Sequence, residues 1–146
     1  GKTISWGEEG WQRILASPTK SAELRLAIAE TKSLRQLALE GDLYPLTPVD
    51  PLTTTWTAYQ FHRPEHGDGF AMFFRNPDCE AASMAAGLRA IDPNASYAVQ
   101  LHYNYTATGP PTTWTGNELA VMNVGISRAS SLLLKYAASS HPESPA

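Results

Sequence analysis

The sequence predicts a mainly β fold, an antiparallel β-sandwich of Greek-key type with an α-helix ahead of it. Two observations carry this. From Ser21 to Glu40 good helix formers dominate, and Leu24, Ile28, Thr31, Leu34 and Ala38 recur at helical spacing. From Trp56 onward, short alternating apolar runs are separated by clusters of Gly, Pro, Asn and Asp, the pattern of paired antiparallel strands. The expected organisation is a helical segment over residues 1–48, a sandwich over 49–137 and a loose polar tail over 138–146.

Residues 1–17 contain Trp6 and Trp11 but no clear period. Ser17-Pro18-Thr19 reads as a helix start, with Thr19 or Ser21 as cap and Glu23 favourable for the dipole. Leu26 and Leu37 fall off the apolar stripe, so this helix needs cover on more than one side. Gly41 is its expected stop. Trp56–Phe61 is aromatic and Thr-rich, which suits a strand, and residues 62–69 supply turn chemistry. Phe70, Met72 and Phe74 alternate with Ala71 and Phe73, as in a strand buried on both faces. Ser83–Leu88 is expected as a third strand, although its alanines equally favour helix. Asp92-Pro93-Asn94-Ala95 signals a type I turn. Tyr97, Val99 and Leu101 alternate next, with Tyr103 and Tyr105 extending that strand. Gly109-Pro110-Pro111 breaks the pattern, and Thr115-Gly116-Asn117-Glu118 fits a capping box. Val124–Ile126 reads as a short strand, and Leu132, Leu134 and Tyr136 as the last one. The expected core comprises Phe70, Met72, Phe74, Tyr97, Val99, Leu101, Leu132 and Leu134.

The chain has 146 residues, enough for one domain with a real core, and its charged fraction of 17% is too low for wholesale disorder. A net charge of −3 without clustered Lys and Arg gives no nucleic-acid footprint. The longest uncharged runs contain Pro, Gly and Thr, so no membrane span or membrane partner is expected. No signal-peptide pattern is visible, and localisation is left open. Cys79 is the single cysteine, which rules out an intrachain disulfide and reads as a small buried hydrophobe. Asn94-Ala95-Ser96 and Asn104-Tyr105-Thr106 match the glycosylation sequon, a pattern frequent by chance.

Five segments resemble, in the same order, the C-terminal domain of bacterial α-galactosidases of glycoside hydrolase family 36. They are Gly41-Asp42-Leu43-Tyr44-Pro45-Leu46-Thr47-Pro48; Gln60-Phe61-His62-Arg63-Pro64-Glu65 followed by Gly67 and Gly69; Gly87-Leu88 leading to Asp92-Pro93-Asn94-Ala95-Ser96-Tyr97; Thr115-Gly116-Asn117-Glu118-Leu119; and Ser130-Ser131-Leu132. Together they span residues 41–136. In such enzymes a (β/α)8 barrel supplies both catalytic aspartates and an antiparallel sandwich follows. The resemblance therefore implies that Ser21–Glu40 is similar to the last barrel helix. It also implies a catalytic barrel as partner; the apolar spread of the helix beyond one stripe allows a second copy of this chain instead. The matched segments lie outside the catalytic machinery, so no catalytic residue carries over.

Glycoside hydrolysis needs two carboxylates roughly 5–10 Å apart, one often with a raised pKa. Most acids here sit beside Gly, Pro or Asn in turns, or on the helix, where they are solvated. Glu65 and Asp68 are the closest turn pair. His62 and His66 are four apart, but the intervening proline opposes a helix and no third ligand has suitable spacing, so no metal site is expected. Asp92 and Asn94 are turn formers. No phosphate loop or nucleophile elbow is present, and no cofactor is implied. Sugar rings stack on exposed aromatics, for which Trp114, Trp56, Tyr59, Tyr103 and Tyr105 are the candidates; the competing expectation is that they fill the core. Trp114, after Pro110-Pro111 in a loop-like stretch, is the best candidate for exposure.

The expected function is a non-catalytic accessory domain that caps or stabilises a catalytic barrel. An independent carbohydrate-binding module recognising galactosides is the alternative. An enzyme in its own right is a third reading, which would need hydrolysis by this chain alone.

Overall fold

The computed structural model describes residues 18–48 and 52–139. The expectations for residues 1–17 and for residues 140–146 of the tail lie outside the described residues. The chain divides into two compact units, residues 1–33 and 34–146.

Helix α1, Pro18–Glu40, crosses from the first unit into the second. It begins three residues before the expected Ser21, with Pro18 at its first position, where the missing N–H costs nothing. In the first unit Leu26 and Ile28 are exposed, and the Thr31 hydroxyl donates back to the Ala27 carbonyl at 2.9 Å. The helix stops as expected: the Gly41 N–H donates to the Leu37 carbonyl at 2.9 Å.

The rest is antiparallel β structure. The strands are β1 (Asp42–Pro45), β2 (Trp56–Arg63), β3 (Asp68–Arg75), β4 (Ser83–Ala85), β5 (Ser96–Tyr103), β6 (Thr106–Ala107), β7 (Thr112–Thr115), β8 (Asn123–Gly125) and β9 (Ser130–Ala138). A short helix α2, Gly116–Ala120, lies between β7 and β8. The large sheet runs β1-β2-β3-β9-β5-β6, with β7 also paired to β5; β4 and β8 form a second, two-stranded sheet. The last strand thus returns to the middle of the sheet, antiparallel to both β3 and β5.

Register decides which side chains share a face. Ala58, Phe73 and Leu132 stand in one row across β2, β3 and β9, and Gln60, Ala71, Leu134 and Leu101 in the next, which continues onto β5. This face meets the second layer in the main core, where Trp56, Phe73, Tyr97 and Val99 pack with Leu88, Leu119, Met122 and Val124. The opposite face carries Phe70, Met72 and Leu133, packed with Leu34 from the end of α1; Leu37, Ala38, Tyr59, Phe61 and Phe74 surround them.

The structure corrects several expectations. Phe74, Leu101 and Leu132 are half-buried, whereas Phe73 is fully buried. β3 is buried on both faces, but the second layer covers the Phe73 side more completely than α1 covers the other. The strand expected over Ser83–Leu88 ends at Ala85. Beyond it the Ala86 and Leu88 amides donate to the carbonyls of Met122 and Leu119 at 2.9 Å each, outside a ladder. Tyr105 does not extend β5. It and Asn104 take positive φ values of 70° and 46° in the two-residue turn to β6. The segment before Trp114 is a strand, β7, rather than a loop.

Candidate functional site

Two regions of the second unit stand out: a buried polar knot on the core face of the large sheet, and an apolar surface beside the end of α1. The knot is built by strand alternation. Period two places Gln60 and His62 on the same face as Trp56 and Ala58, and all four are buried. His62, Gly69 and Tyr136 stand directly opposite one another across β2, β3 and β9. Since Gly69 has no side chain, the Tyr136 ring can lean across the gap. It lies nearly parallel to the His62 ring, with centroids 5.9 Å apart and planes 14° apart. A Cβ on Gly69 would sit 2.1 Å from the Phe61 carbonyl oxygen and 2.6 Å from the Tyr136 hydroxyl.

The hydrogen bonds of the knot are fully specified. The Arg89 N–H donates to Gln60 Oε1 at 2.7 Å, and Gln60 Nε2 donates to the Arg89 carbonyl at 2.9 Å and to the Tyr136 hydroxyl at 2.8 Å. The amide orientation is thereby fixed. The Tyr136 oxygen lies 2.8 Å from His62 Nδ1. Gln60 already donates to that oxygen, so the neutral tautomer with its proton on Nε2 lets the Tyr136 hydroxyl donate to His62 Nδ1. Burial disfavours the imidazolium and lowers the His62 pKa, against the fields of Asp68 and Asp42, which raise it. Burial likewise pushes the Tyr136 phenol up.

At the edge of the same strands, Arg63 joins three elements. Its Nε and Nη2 donate to Asp68 at 2.7 and 2.5 Å, and its Nη1 donates to Glu40 at 2.7 Å. These bonds hold the Asp68 carboxyl below the usual range. The Glu40 carboxyl is also lowered, first by the Gln36 amide and then by Arg63.

Three further described acids serve turns and a cap. Asp78 accepts from the Thr53 hydroxyl at 2.7 Å, and Asp92 accepts from the Asn94 amide at 2.9 Å. Glu118 and Thr115 form the expected reciprocal capping box at the start of α2. Glu65 is exposed in the β2–β3 turn. Among the described residues, no group of three His, Cys, Asp or Glu side chains is arranged to hold a metal ion. Nor is any described helix long and apolar enough to cross a membrane. Cys79 is buried.

The five candidate sugar-stacking aromatics are not brought together. Trp56 is buried, its indole N–H donating to the Ala81 carbonyl at 2.8 Å. Tyr59 lies on the opposite face, in ring contact with Phe61, Phe70 and Phe74. Trp114 stands opposite Tyr97 at one end of β5, half-buried against the main core, and donates to the Thr112 hydroxyl at 3.0 Å. Tyr103 is at the other end of β5, with its hydroxyl 2.8 Å from that of Ser130. Tyr105, at the tip of the β5–β6 turn, is 43% exposed.

The apolar surface was not singled out from the sequence. A groove of about 500 Å³ runs along β1 and β2, lined by Leu43, Pro45, Pro48, Thr57, Tyr59 and Phe61 among others. Near the helix end Leu39 is 79% exposed, and Leu43 on the edge strand is 56% exposed. Isolated exposed leucines such as Leu39 are ordinary, but Leu43 lines an apolar groove, the kind of surface that meets another protein surface.

Solved structures with this fold include two α-galactosidases of glycoside hydrolase family 36 from Geobacillus stearothermophilus. One is a doubly substituted form of AgaA in complex with raffinose, 20% identical, with a TM-score of 0.63 over 84% of this chain and 16% of that one. The other is AgaB, also 20% identical, with a TM-score of 0.61 over the same shares. No family model and no curated protein sequence matches the chain. The chain shares its fold with a portion of these family 36 enzymes and spans only 16% of their length.

Proposed function

We propose that this chain is a non-catalytic accessory domain of an α-galactosidase-like glycoside hydrolase, the C-terminal sandwich that caps or stabilises a catalytic barrel. The observation that carries this reading is the fold likeness, which covers most of this chain but only a small share of the family 36 enzymes. In the same reading, residues 1–48 correspond to the end of the barrel and residues 49–137 to the sandwich. The disposition of the acids supports the absence of catalysis, since Asp68, Asp78, Asp92 and Glu118 hold turns, caps and an ion pair. The groove along β1 and β2, with Leu43 exposed in its lining, is the surface offered to a barrel or to a second copy.

The test is an assay of the purified chain with a chromogenic α-galactoside. No turnover is expected. Turnover that survives purification and disappears on mutating one carboxylate of this chain would overturn the reading. Sequencing the DNA just upstream tests the parentage: a barrel with two catalytic aspartates is expected there.

The exposure of Tyr105 favours a second reading, an independent galactoside-binding module. Saturable binding of galactose or raffinose, lost on Tyr105→Ala, would establish it. Without such binding the accessory role stands alone.

A further inference from the structure

We propose that Gln60, His62 and Tyr136 form an acid-sensitive lock, in which protonation of His62 breaks the knot tying β2 to β9 and to the segment around Arg89. The argument rests on proton counting. In the tautomer protonated on Nε2, the Arg89 N–H donates to Gln60, Gln60 donates to Arg89 and Tyr136, and Tyr136 donates to His62 Nδ1. A second ring proton sits on Nδ1, pointing at the Tyr136 oxygen. That oxygen then receives two donors, and its own proton loses its acceptor. Among the described hydrogen bonds Tyr136 has no other acceptor to turn to, and a buried unsatisfied hydroxyl is destabilising. Neither ring can step aside, because Gly69 and the two strands fix their stacking.

The groups facing His62 are few. Asp42 lies opposite on β1, and Asp68 lies beside Gly69 on β3; both fields favour the imidazolium. Tyr136 comes from β9, and the Arg89 segment reaches Gln60 through its backbone alone. Arg63, the next residue on β2, is neutralised by Asp68 and Glu40. Burial outweighs the two carboxylates, so the folded chain holds His62 neutral below the ordinary value of 6.5.

The sign follows directly. As pH falls through 6.5, the unfolded chain takes up a proton that the folded chain refuses. Stability is therefore full above that value and is lost on the way down to the folded pKa. The Asp68 and Glu40 carboxyls, held low by their partners, cost stability only below about pH 4, outside this window.

Urea denaturation of the purified chain from about pH 8 to about pH 5 tests the lock. One excess proton in the unfolded state lowers the folded-to-unfolded ratio by up to about tenfold per pH unit. His62→Gln keeps an acceptor for Tyr136 without a titrating ring, and is expected to flatten this slope. His102 is the control: it too is held neutral by burial, and by Lys135, so His102→Gln is expected to remove its own contribution and leave that of His62. A ¹H–¹⁵N imidazole spectrum of the wild type reads the same state directly, should the His62 variant fail to fold. Nδ1 of His62 is expected to be unprotonated at neutral pH, and the ring to titrate below its ordinary value of 6.5. An unchanged slope in a folded His62→Gln, or a His62 ring that titrates at or above its ordinary value, overturns the proposal.

Discussion

Replacing Phe73 by alanine tests the two-faced packing of the sheet most directly. Phe73 is fully buried, between Ala58 on β2 and Leu132 on β9, with the second layer above it. A buried aromatic removes roughly 150–250 Å² from water, which at about 25 cal/mol per Å² is roughly 4–6 kcal/mol for the whole side chain. Alanine retains part of this, and the cavity left behind adds to the loss, so the expected cost is about 3–5 kcal/mol. Phe74 points to the other face, where it is half-buried beside Tyr59 and the end of α1. Its truncation is expected to cost less than half as much. Urea denaturation of the two variants and the wild type, compared at constant m-value, measures the difference. Phe73→Leu is the milder substitute if the alanine variant does not fold. Equal losses at the two positions, or a larger loss at Phe74, would refute the assignment of the main core to the Phe73 face.

Gly69→Ala is expected to cost about 1–3 kcal/mol, the range for overpacking a core, and to weaken the Tyr136–His62 stacking, visible as a change in near-UV circular dichroism; a neutral substitution would mean that the slot over Gly69 is wider than described. Thr115→Ala removes the capping box of α2 and is expected to cost about 0.5–2 kcal/mol in the same denaturation assay, with Thr115→Ser restoring most of it. The apolar surface predicts that the isolated chain self-associates: sedimentation is expected to show dimers or larger species at high concentration, and Leu39→Glu with Leu43→Glu to shift it to monomer. A strictly monomeric wild type would remove self-association through this surface.

The helix, the long strands and the capping box were legible because each is written in consecutive residues. Alternation marks β2, β3, β5 and β9, and Thr115 with Glu118 carries its own geometry. β1, β6 and β7 were not legible. They have four, two and four residues, too few to show a period, and exist because a neighbouring strand offers an open edge. Ala86–Leu88 defeated the pattern for a related reason: its backbone groups bond to α2 and the loop after it, not to a strand. Periodicity also says which residues share a face but not how well each face is covered, hence the exchange of Phe73 for Phe74. The polar knot had a signal, since Gln60 and His62 continue the Trp56, Ala58 alternation inward. The neighbouring Arg63, Pro64 and Glu65 pulled His62 toward a turn reading.

The segments that carry the family resemblance have a common character in this chain, and it bears on function. Gly41 closes α1 on the Leu37 carbonyl, and Gln60 and His62 tie β2 to Tyr136 and Arg89. Arg63 fastens the helix end to two strands, and Gly69 opens the slot that Tyr136 crosses. Asp92 and Thr115 shape a turn and a cap; Gly116 lets α2 approach Asp92 so closely that a Cβ would lie 1.8 Å from its carbonyl oxygen. Each of these groups makes a hydrogen bond or a close approach that holds the fold. A catalytic acid or base, in contrast, must keep a proton-transfer lone pair open to substrate. In these segments the polar side chains named serve the architecture, while the groove along β1 and β2 is apolar. That disposition supports the proposal of an accessory domain. Such a domain needs a scaffold rigid enough to hold its shape and a dry face with which to meet a larger partner.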